Sequence, residues 1–213
     1  MKILVRQLSA LILVLFLLSC NAQEKKKLPA DKNNIAKDTS HPITPETVNA
    51  YAAIDISPMD MSYFPVDYPI LKMSNKSISS PVMRIIYSRP RLQGRKLFPD
   101  VLKYNEPWRL GANESTEIQF YRDVTIQNKQ VKAGRYILYC IPEQDRWSIV
   151  LNSYIDSWGL RQDTKKNIDQ FEIPVTHHNP ALEYLTLVFE KTNTGANLII
   201  GWEEELAKLP IDF

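Results

Sequence analysis

The chain has 213 residues, of which 44% are hydrophobic and 23% are charged, as in an ordinary globular protein. Two of its 26 basic residues, Lys2 and Arg6, fall in a short leader without acidic residues. The rest of the chain therefore has 24 basic and 24 acidic residues. This balance excludes the strongly basic surface on which nucleic-acid binding depends, so we expect no nucleic-acid partner.

Residues 1–19 have the pattern of a bacterial lipoprotein signal peptide. A basic start is followed by an apolar run over residues 8–18, and Ser19 and Cys20 come directly after it. The run is shorter than the about 20 residues of a membrane-spanning helix and suits the core of a signal peptide. Leu17-Leu18-Ser19-Cys20 resembles the lipobox, whose cysteine thiol receives a diacylglycerol. We therefore expect cleavage after Ser19 and a membrane anchor through lipid on Cys20.

Residues 20–50 predict a flexible tether, because they are polar, rich in Lys, Asn and Pro, and without a sustained hydrophobic period. The chain has two cysteines, Cys20 and Cys140. If Cys20 carries lipid, Cys140 has no partner for an intrachain disulfide. The apolar strand pattern around Cys140 predicts a buried, inert thiol.

Residues 51–213 predict a single all-β domain. Closely spaced prolines in residues 51–80 indicate a lead-in over the domain surface with one edge strand. From residue 82 onward, short alternating segments recur at roughly ten-residue spacing, which is typical of an antiparallel β-sandwich or a partly open barrel of about eight strands. The expected strands are 82–88, 115–121, 123–127, 134–141, 146–151, 171–175, 184–190 and 197–202, with a short edge strand at 209–213. We expect 123–127 and 134–141 to pair as a hairpin across Asn128-Lys129.

The stretch 107–120 combines a Trp, an Arg, an Asn and a Glu around one glycine before it enters a strand. Alternation places Ile118 on the core face, and the same parity places Glu114 at the rim of the core. A carboxylate there needs a partner, because an unpaired buried charge is costly. Arg109 is the nearest candidate, and Gly111 would supply the tight turn between the two.

This cluster has two interpretations. As a ligand site, its Arg and Asn side chains bind an anionic or hydroxyl-rich group beside Trp108. As a structural clasp, Arg109 and Glu114 form an internal ion pair that holds a loop on the domain. Trp158 lies in a predicted loop, where an exposed ring can stack on a sugar, whereas the pattern places Trp147 and Trp202 in the core. The candidate residues under either interpretation are Arg89, Arg95, Trp108, Arg109, Asn113, Glu114 and Trp158.

Catalytic and cofactor motifs are absent from the sequence. It contains no G-x-S-x-G elbow, phosphate-binding loop or dinucleotide fingerprint. His177 and His178 are adjacent in a predicted loop without an evident third ligand, so we expect a solvated pair and no metal site. The remaining histidine, His41, lies in the tether, which argues against a His-based triad. We therefore expect neither cofactor nor catalytic residue, and the sequence favours a protein without enzymatic activity.

Several blocks together resemble one family, the domain of unknown function 2911 found in envelope proteins of Bacteroidetes-type bacteria. The resemblance spans about residues 57–213 and implies an extracytoplasmic β-rich domain with no assigned activity. The blocks are Tyr87-Ser88-Arg89-Pro90, Gly94-Arg95-Lys96, Pro107-Trp108-Arg109-Leu110-Gly111-Ala112-Asn113-Glu114, Ala133-Gly134-Arg135-Tyr136 and Trp158-Gly159. Residues 21–24 lack the acidic cluster that resembles a surface-export signal in such bacteria. We therefore expect an outer-membrane anchor that faces the periplasm rather than the cell surface.

Three functions follow from these observations. The first is a lipoprotein whose β domain binds a glycan or a small anionic or hydroxylated molecule, which requires an open concavity with at least one unpaired arginine. The second is a structural or assembly lipoprotein that docks an envelope protein partner, with a closed Arg–Glu network and an exposed apolar patch elsewhere. The third is a hydrolase with Glu114 as acid or base, which requires a raised carboxylate pKa inside a cleft.

Overall fold

In the computed structural model, the described part of the chain contains nine strands. They form one antiparallel sheet that curls without closing. The structure describes residues 55–213 except 76, 78 and 156, so the expected signal peptide, Cys20 and the tether lie outside the described residues. The all-β prediction is confirmed. The strands are β1 (Met59–Phe64), β2 (Met83–Ser88), β3 (Thr116–Phe120), β4 (Val124–Ile126), β5 (Lys129–Val131), β6 (Gly134–Pro142), β7 (Arg146–Asn152), β8 (Asn167–Lys191) and β9 (Gly195–Asp212), in the order β1-β2-β3-β6-β7-β8-β9-β4-β5.

Helical structure is limited to short segments in the described part of the chain. Helix α1 spans Tyr68–Ser74, an irregular helical turn spans Leu97–Val101, and a 3-10 turn spans Thr164–Lys166. The Asp163 side chain accepts a hydrogen bond from the Lys165 amide and so caps the 3-10 turn. Across the described ranges, no helix has the length and apolar character needed to cross a membrane.

Strands β8 and β9 are much longer than expected. The prediction of separate strands at 171–175 and 184–190 is wrong, because both belong to the continuous strand β8. Register shifts between His177 and Leu182 and again before Thr186 let this strand bend without ending. Its first part pairs with β7 and its second part pairs with β9, so one strand serves two stretches of the curled sheet.

The curl brings the chain that follows β2 onto the middle of β8. The Leu92 amide donates to the Glu183 carbonyl oxygen at 3.0 Å, and the Leu185 amide donates to Pro90 at the same distance. Strands β2 and β8 are not neighbours in the sheet order. The contact between the segment that follows β2 and strand β8 therefore shows that the sheet folds back on itself. The expected edge strand of the lead-in is β1, which pairs with β2.

The expected hairpin between 123–127 and 134–141 is wrong. Gln127 and Asn128 both have positive φ, 46° and 66°, which is the conformation of a two-residue type I′ turn. This turn reverses the chain early, so β4 pairs with β5. Strand β6 instead lies between β3 and β7 in the sheet.

The core occupies the concave side of the curled sheet. The predicted core face of β3 is confirmed, because Ile118 is fully buried and Phe120 is 1% exposed. Trp147 and Trp202 are buried as predicted. Cys140 is a buried free thiol, and burial raises its pKa well above the usual value, as expected for an inert cysteine.

Candidate functional site

Trp108 fixes the start of the motif segment to the sheet. Its amide donates to the Cys140 carbonyl oxygen at 2.7 Å, and the Cys140 amide donates back to Trp108 at 2.7 Å. The indole N–H donates to the Gly111 carbonyl oxygen at 3.2 Å. The ring stacks on Trp202 with centroids 5.8 Å apart and meets Trp147 edge-on at 6.1 Å. Backbone and ring contacts together make Trp108 a rigid part of the core.

In the turn that follows Trp108, the strained backbone conformations occur at residues other than Gly111. Leu110 and Asn113 adopt left-handed backbone conformations, with φ of 52° and 55°. Gly111 is required for a different reason, because a Cβ atom there would lie 3.0 Å from the Ser88 carbonyl oxygen and 3.2 Å from the Thr116 hydroxyl. The expectation that Gly111 supplies the tight turn is therefore wrong, and its role is to let strand β2 approach closely.

The expected ion pair between Arg109 and Glu114 does not form. The left-handed residue Asn113 interrupts the strand alternation one residue before Glu114, so the parity of β3 does not extend to that carboxylate. Glu114 is exposed as a result. The Asn113 amide nitrogen donates to the Asp55 carboxylate at 2.6 Å. The clasp interpretation, in the form of an Arg109–Glu114 pair, is thus wrong.

A cavity of about 450 Å³ lies beside the motif segment and opens to solvent. Three of the predicted site residues line it, namely Arg95, Trp108 and Arg109. Four further residues that matter for its chemistry are Lys103, Glu106, Leu160 and Trp202. Its volume falls in the range of small-ligand sites, about 300–1,000 Å³.

Arg109 has no ionic partner among the residues that the structure describes. It is half-buried, and burial lowers the pKa of its guanidinium. Among the described residues, no carboxylate pairs with it and no hydrogen-bond acceptor contacts its side chain. A partly desolvated cation without a partner is unfavourable, so an anion placed beside Arg109 would lower the free energy of this charge.

The other charged groups of the cavity leave an excess of positive charge. Arg95 donates to the carbonyl oxygens of Leu92 at 2.9 Å and of Arg91 at 3.0 Å, which orients its guanidinium but does not neutralise it. The Lys103 ammonium lies 3.8 Å from the carboxylate of Glu106. The wall thus contains three cations and one carboxylate.

The loop that contains Gly159 holds the stem of Arg109 in place. Gly159 has a φ of +87°, and a Cβ atom there would lie 3.0 Å from the Cβ and Cδ atoms of Arg109. The same Cβ atom would lie 2.5 Å from the Ser115 hydroxyl. That hydroxyl is buried and has no hydrogen-bond partner in the described part of the chain. The Trp-Gly block and the motif segment are therefore packed against each other.

The remaining predicted site residues lie outside the cavity. Arg89 pairs with Asp60 at 3.3 Å, donates to the Leu185 carbonyl oxygen at 3.1 Å and covers the Tyr184 ring. It therefore ties β1 and β2 to β8. Trp158 is 58% exposed, which agrees with the prediction of an exposed ring, and its neighbours Gly159 and Leu160 line the cavity.

Sequence reasoning missed Lys103, Glu106 and Leu160 as cavity residues. Lys103 and Glu106 precede the motif in a loop with no alternating pattern, and Leu160 follows the Trp-Gly block, so only the tertiary fold brings them together. Trp202 is core as predicted, with 1% exposure, and it also lines the cavity. The stacking of this ring on Trp108 had no signal in the sequence.

The histidine pair lies in strand β8 rather than in the predicted loop. His177 is exposed, and Nδ1 of His178 lies 2.8 Å from the Pro180 carbonyl oxygen. Within the described ranges, no group of three or more His, Cys, Asp or Glu residues is placed to hold a metal ion.

Comparison with known protein families identifies a family for this chain. A family model with the description "Protein of unknown function (DUF2911)" matches residues 71–211, which is well over half of the chain. The matched range includes the motif segment and all the charged residues of the cavity wall. No curated protein and no solved structure matches the chain. The chain therefore belongs to the DUF2911 family of proteins of unknown function.

Proposed function

We propose that this β domain binds a small anionic, hydroxylated ligand in the cavity beside Arg109, and that lipid on Cys20 holds the domain in the bacterial cell envelope. The observation that carries the binding proposal is the half-buried guanidinium of Arg109, which lines an open cavity and has no carboxylate partner among the described residues. The lipid anchor rests on the signal-peptide pattern and the Leu-Leu-Ser-Cys sequence.

An anion would supply the negatively charged partner that Arg109 lacks among the described residues. A guanidinium presents paired N–H donors in a planar fork that matches a carboxylate or phosphate, and such charge-assisted bonds are stronger than neutral ones. Arg95 and Lys103 add positive potential on the same wall. Binding an anion would remove the cost of the unpaired charge, which an electrically neutral ligand cannot do.

The apolar part of the wall favours a ligand with a ring. Leu160, which is 73% exposed, provides apolar surface beside the cations, and the exposed Trp158 adjoins this wall, whereas the buried Trp108 and Trp202 contribute little exposed area. A carboxylated sugar combines an anion for Arg109 with a C–H face for aromatic contact. A cavity of about 450 Å³ accommodates one or two such rings. We therefore propose acidic sugars as the ligand class to test first.

A thermal-shift and calorimetric comparison of three proteins tests this proposal. The proteins are the wild type, Arg109→Met and the matched control Arg122→Met, whose arginine is exposed and lies over the Phe213 ring outside the cavity wall. The probes are glucuronate, galacturonate, inorganic phosphate, acetate and neutral glucose. At a hundred times its dissociation constant, a ligand stabilises the folded state by about 2.7 kcal/mol.

We expect an acidic sugar to raise the melting temperature of the wild type and of Arg122→Met, and to leave Arg109→Met unchanged. In calorimetry, the loss of the guanidinium should weaken binding by about 2–5 kcal/mol, because the anion then loses its charged partner. An equal shift in all three proteins would exclude Arg109 as the binding group. The absence of any shift with any probe would reject the binding proposal.

A structural or assembly lipoprotein is the second candidate function. It is favoured by exposed apolar side chains in the lead-in, such as Ile70 and Met73, which are 71% and 86% exposed. The hydrolase candidate loses its basis, because Glu114 is exposed and does not line the cavity. It lacks the enclosed cleft that a catalytic acid with a raised pKa requires.

A further inference from the structure

The lead-in exposes an unusual concentration of large apolar side chains. We define the lead-in patch as Ile56, Met59, Met61, Val66, Ile70 and Met73, which are between 42% and 86% exposed. Helix α1 contributes two of them and has no buried residue. A seven-residue helix is too short to be stable on its own propensity, and helices are normally stabilised by burying an apolar face. Within the described domain, α1 is only partly covered, through the half-buried Leu71 and through Tyr68, whose ring centroid lies 5.3 Å from that of Tyr63.

The patch is continuous across two elements. Ile70 and Met73 are three residues apart and so lie on one face of α1. Val66, in the turn before α1, lines a shallow hollow of about 230 Å³ together with Met61 of β1 and Pro69 of α1. Val188 of β8, itself 38% exposed, forms part of the same hollow. The exposed side chains of β1 and α1 therefore border one apolar surface, which is the kind of surface that marks an interaction site.

We infer that the lead-in patch rests on the lipid surface to which the protein is anchored. This inference depends on the lipid anchor of the proposed function. The segment between Cys20 and the described domain comprises residues 21–54, or 34 residues, and Asp55 separates it from Ile56, the first residue of the patch. For a flexible linker of 34 residues, which the sequence predicts over most of this segment, the expected end-to-end distance is about 30 Å. The patch is thus the part of the described domain that lies closest along the chain to the proposed lipid anchor.

Because the lipid already holds the protein at the membrane, a weak apolar contact is sufficient to keep the patch on the lipid surface. Once the lipid is inserted, docking becomes an intramolecular step with a high effective concentration, so a few Ile and Met side chains can keep the patch in contact. The charge of the lead-in does not favour anionic headgroups, because Asp55, Asp60 and Asp67 outnumber Lys72 in the range 55–75. The contact is therefore apolar and should persist in high salt.

Docking also gives the ligand cavity a defined position. Ser57 lines the cavity and lies between the patch residues Ile56 and Met59 in the chain. The cavity and the patch thus share one segment of the lead-in. A domain that rests on its patch keeps this wall of the cavity close to the headgroup layer instead of extending it away from the membrane.

Site-specific labelling of the intact, lipidated protein in phosphatidylcholine–phosphatidylethanolamine vesicles tests the inference. A fluorophore that senses polarity is attached to Met73→Cys or, as the matched control, to Lys165→Cys, an exposed position near the other end of β8. The buried Cys140 should not react with the reagent. Nitroxide-labelled lipids in the bilayer then quench fluorophores that touch the membrane. Vesicle flotation in the same samples measures the anchor separately.

We expect the emission at position 73 to shift to the blue and to be quenched several-fold more than at position 165, in low and high salt alike. An added Ile70→Glu substitution should abolish the difference. Flotation with equal quenching at both positions would overturn docking while leaving the anchor intact. A blue shift at position 73 without quenching would also overturn it, since residues 48–54 or a second copy would then cover the patch. Failure to float would overturn the anchor and the docking together but not ligand binding.

Discussion

Substitution of Gly159 by alanine tests the packing that positions the proposed ligand-binding arginine. Gly159 has a positive φ of +87°, and an added Cβ atom would lie 2.5 Å from the Ser115 hydroxyl and 3.0 Å from Arg109. The 2.5 Å distance is too short for a Cβ atom, so the Ser115 hydroxyl must rotate away, and the 3.0 Å contacts require the loop or Arg109 to shift by a few tenths of an ångström. Gly94 provides a matched control, because its φ is +77° and nothing lies within 4 Å of the corresponding Cβ position.

Both substitutions put a Cβ atom on a left-handed residue, but only Gly159→Ala also overpacks its surroundings. The left-handed conformation costs a non-glycine residue about 1–2 kcal/mol, and this cost applies to Gly94→Ala as well as to Gly159→Ala. Overpacking typically adds about 1–3 kcal/mol, and it applies to Gly159→Ala alone. The gain from restricting the unfolded chain is similar in both and cancels in the comparison. We therefore expect Gly159→Ala to be less stable than Gly94→Ala by about 1–3 kcal/mol.

Urea denaturation followed by tryptophan fluorescence measures this difference. Equal slopes in the two variants would show that both report on the same folded and unfolded states. For a domain of this size, the difference corresponds to about 2–4 °C in melting temperature for each kcal/mol. Equal stability of the two variants would refute the reasoning, because it would mean that the Trp-Gly loop does not lie rigidly against Ser115 and Arg109.

Two further substitutions test the pairing of individual groups. Glu114→Ala should change the free energy of unfolding by less than about 0.5 kcal/mol, because the side chain is exposed and forms no ion pair with Arg109; a loss of about 3 kcal/mol or more would restore the buried-pair interpretation. Tyr87→Phe should destabilise the protein by about 1–2 kcal/mol at neutral pH, because the Leu187 amide loses the hydroxyl that accepts its hydrogen bond at 3.1 Å. Burial raises the pKa of Tyr87 from 10.0 to about 12, so the advantage of the wild type should be complete below pH 10.0 and decline as the pH approaches about 12. A difference between wild type and variant that stays constant over this pH range, measured by urea denaturation, would contradict the assignment.

The sequence predicted the fold class because β structure leaves a local signal. Alternation at period two in 115–121 identified both strand β3 and its core face, and the buried Ile118 confirms that assignment. Pairing partners have no comparable signal. The hairpin prediction failed because two positive φ values at Gln127 and Asn128 reverse the chain there, and Gln has no special preference for that conformation. The length of β8 was missed because bulges interrupt its alternation while the strand continues.

The candidate site was predictable in composition but not in geometry. Unusual residue types around Gly111 drew attention to the correct segment, and Arg95, Trp108 and Arg109 do line one cavity. The sequence could not show that Arg89 is occupied elsewhere by Asp60. That pairing depends on the contact between β1 and β2, and the cavity wall depends on loops that meet only in the folded chain.

Glu114 lies only five residues after Arg109, yet the two side chains do not pair, and among the described residues Arg109 has no carboxylate partner. A regular strand back to residue 114 would have turned Glu114 toward Arg109 and neutralised the guanidinium. Leu110 holds a left-handed conformation at φ 52°, which costs a branched apolar residue about 1–2 kcal/mol, and Asn113 breaks the alternation a second time. Backbone strain of this kind persists where the surrounding structure imposes it, and here it keeps the carboxylate in solvent and the cation in the cavity. If the cavity binds an anion as proposed, this strain has a functional reason, because it leaves the Arg109 guanidinium without a carboxylate partner among the described residues.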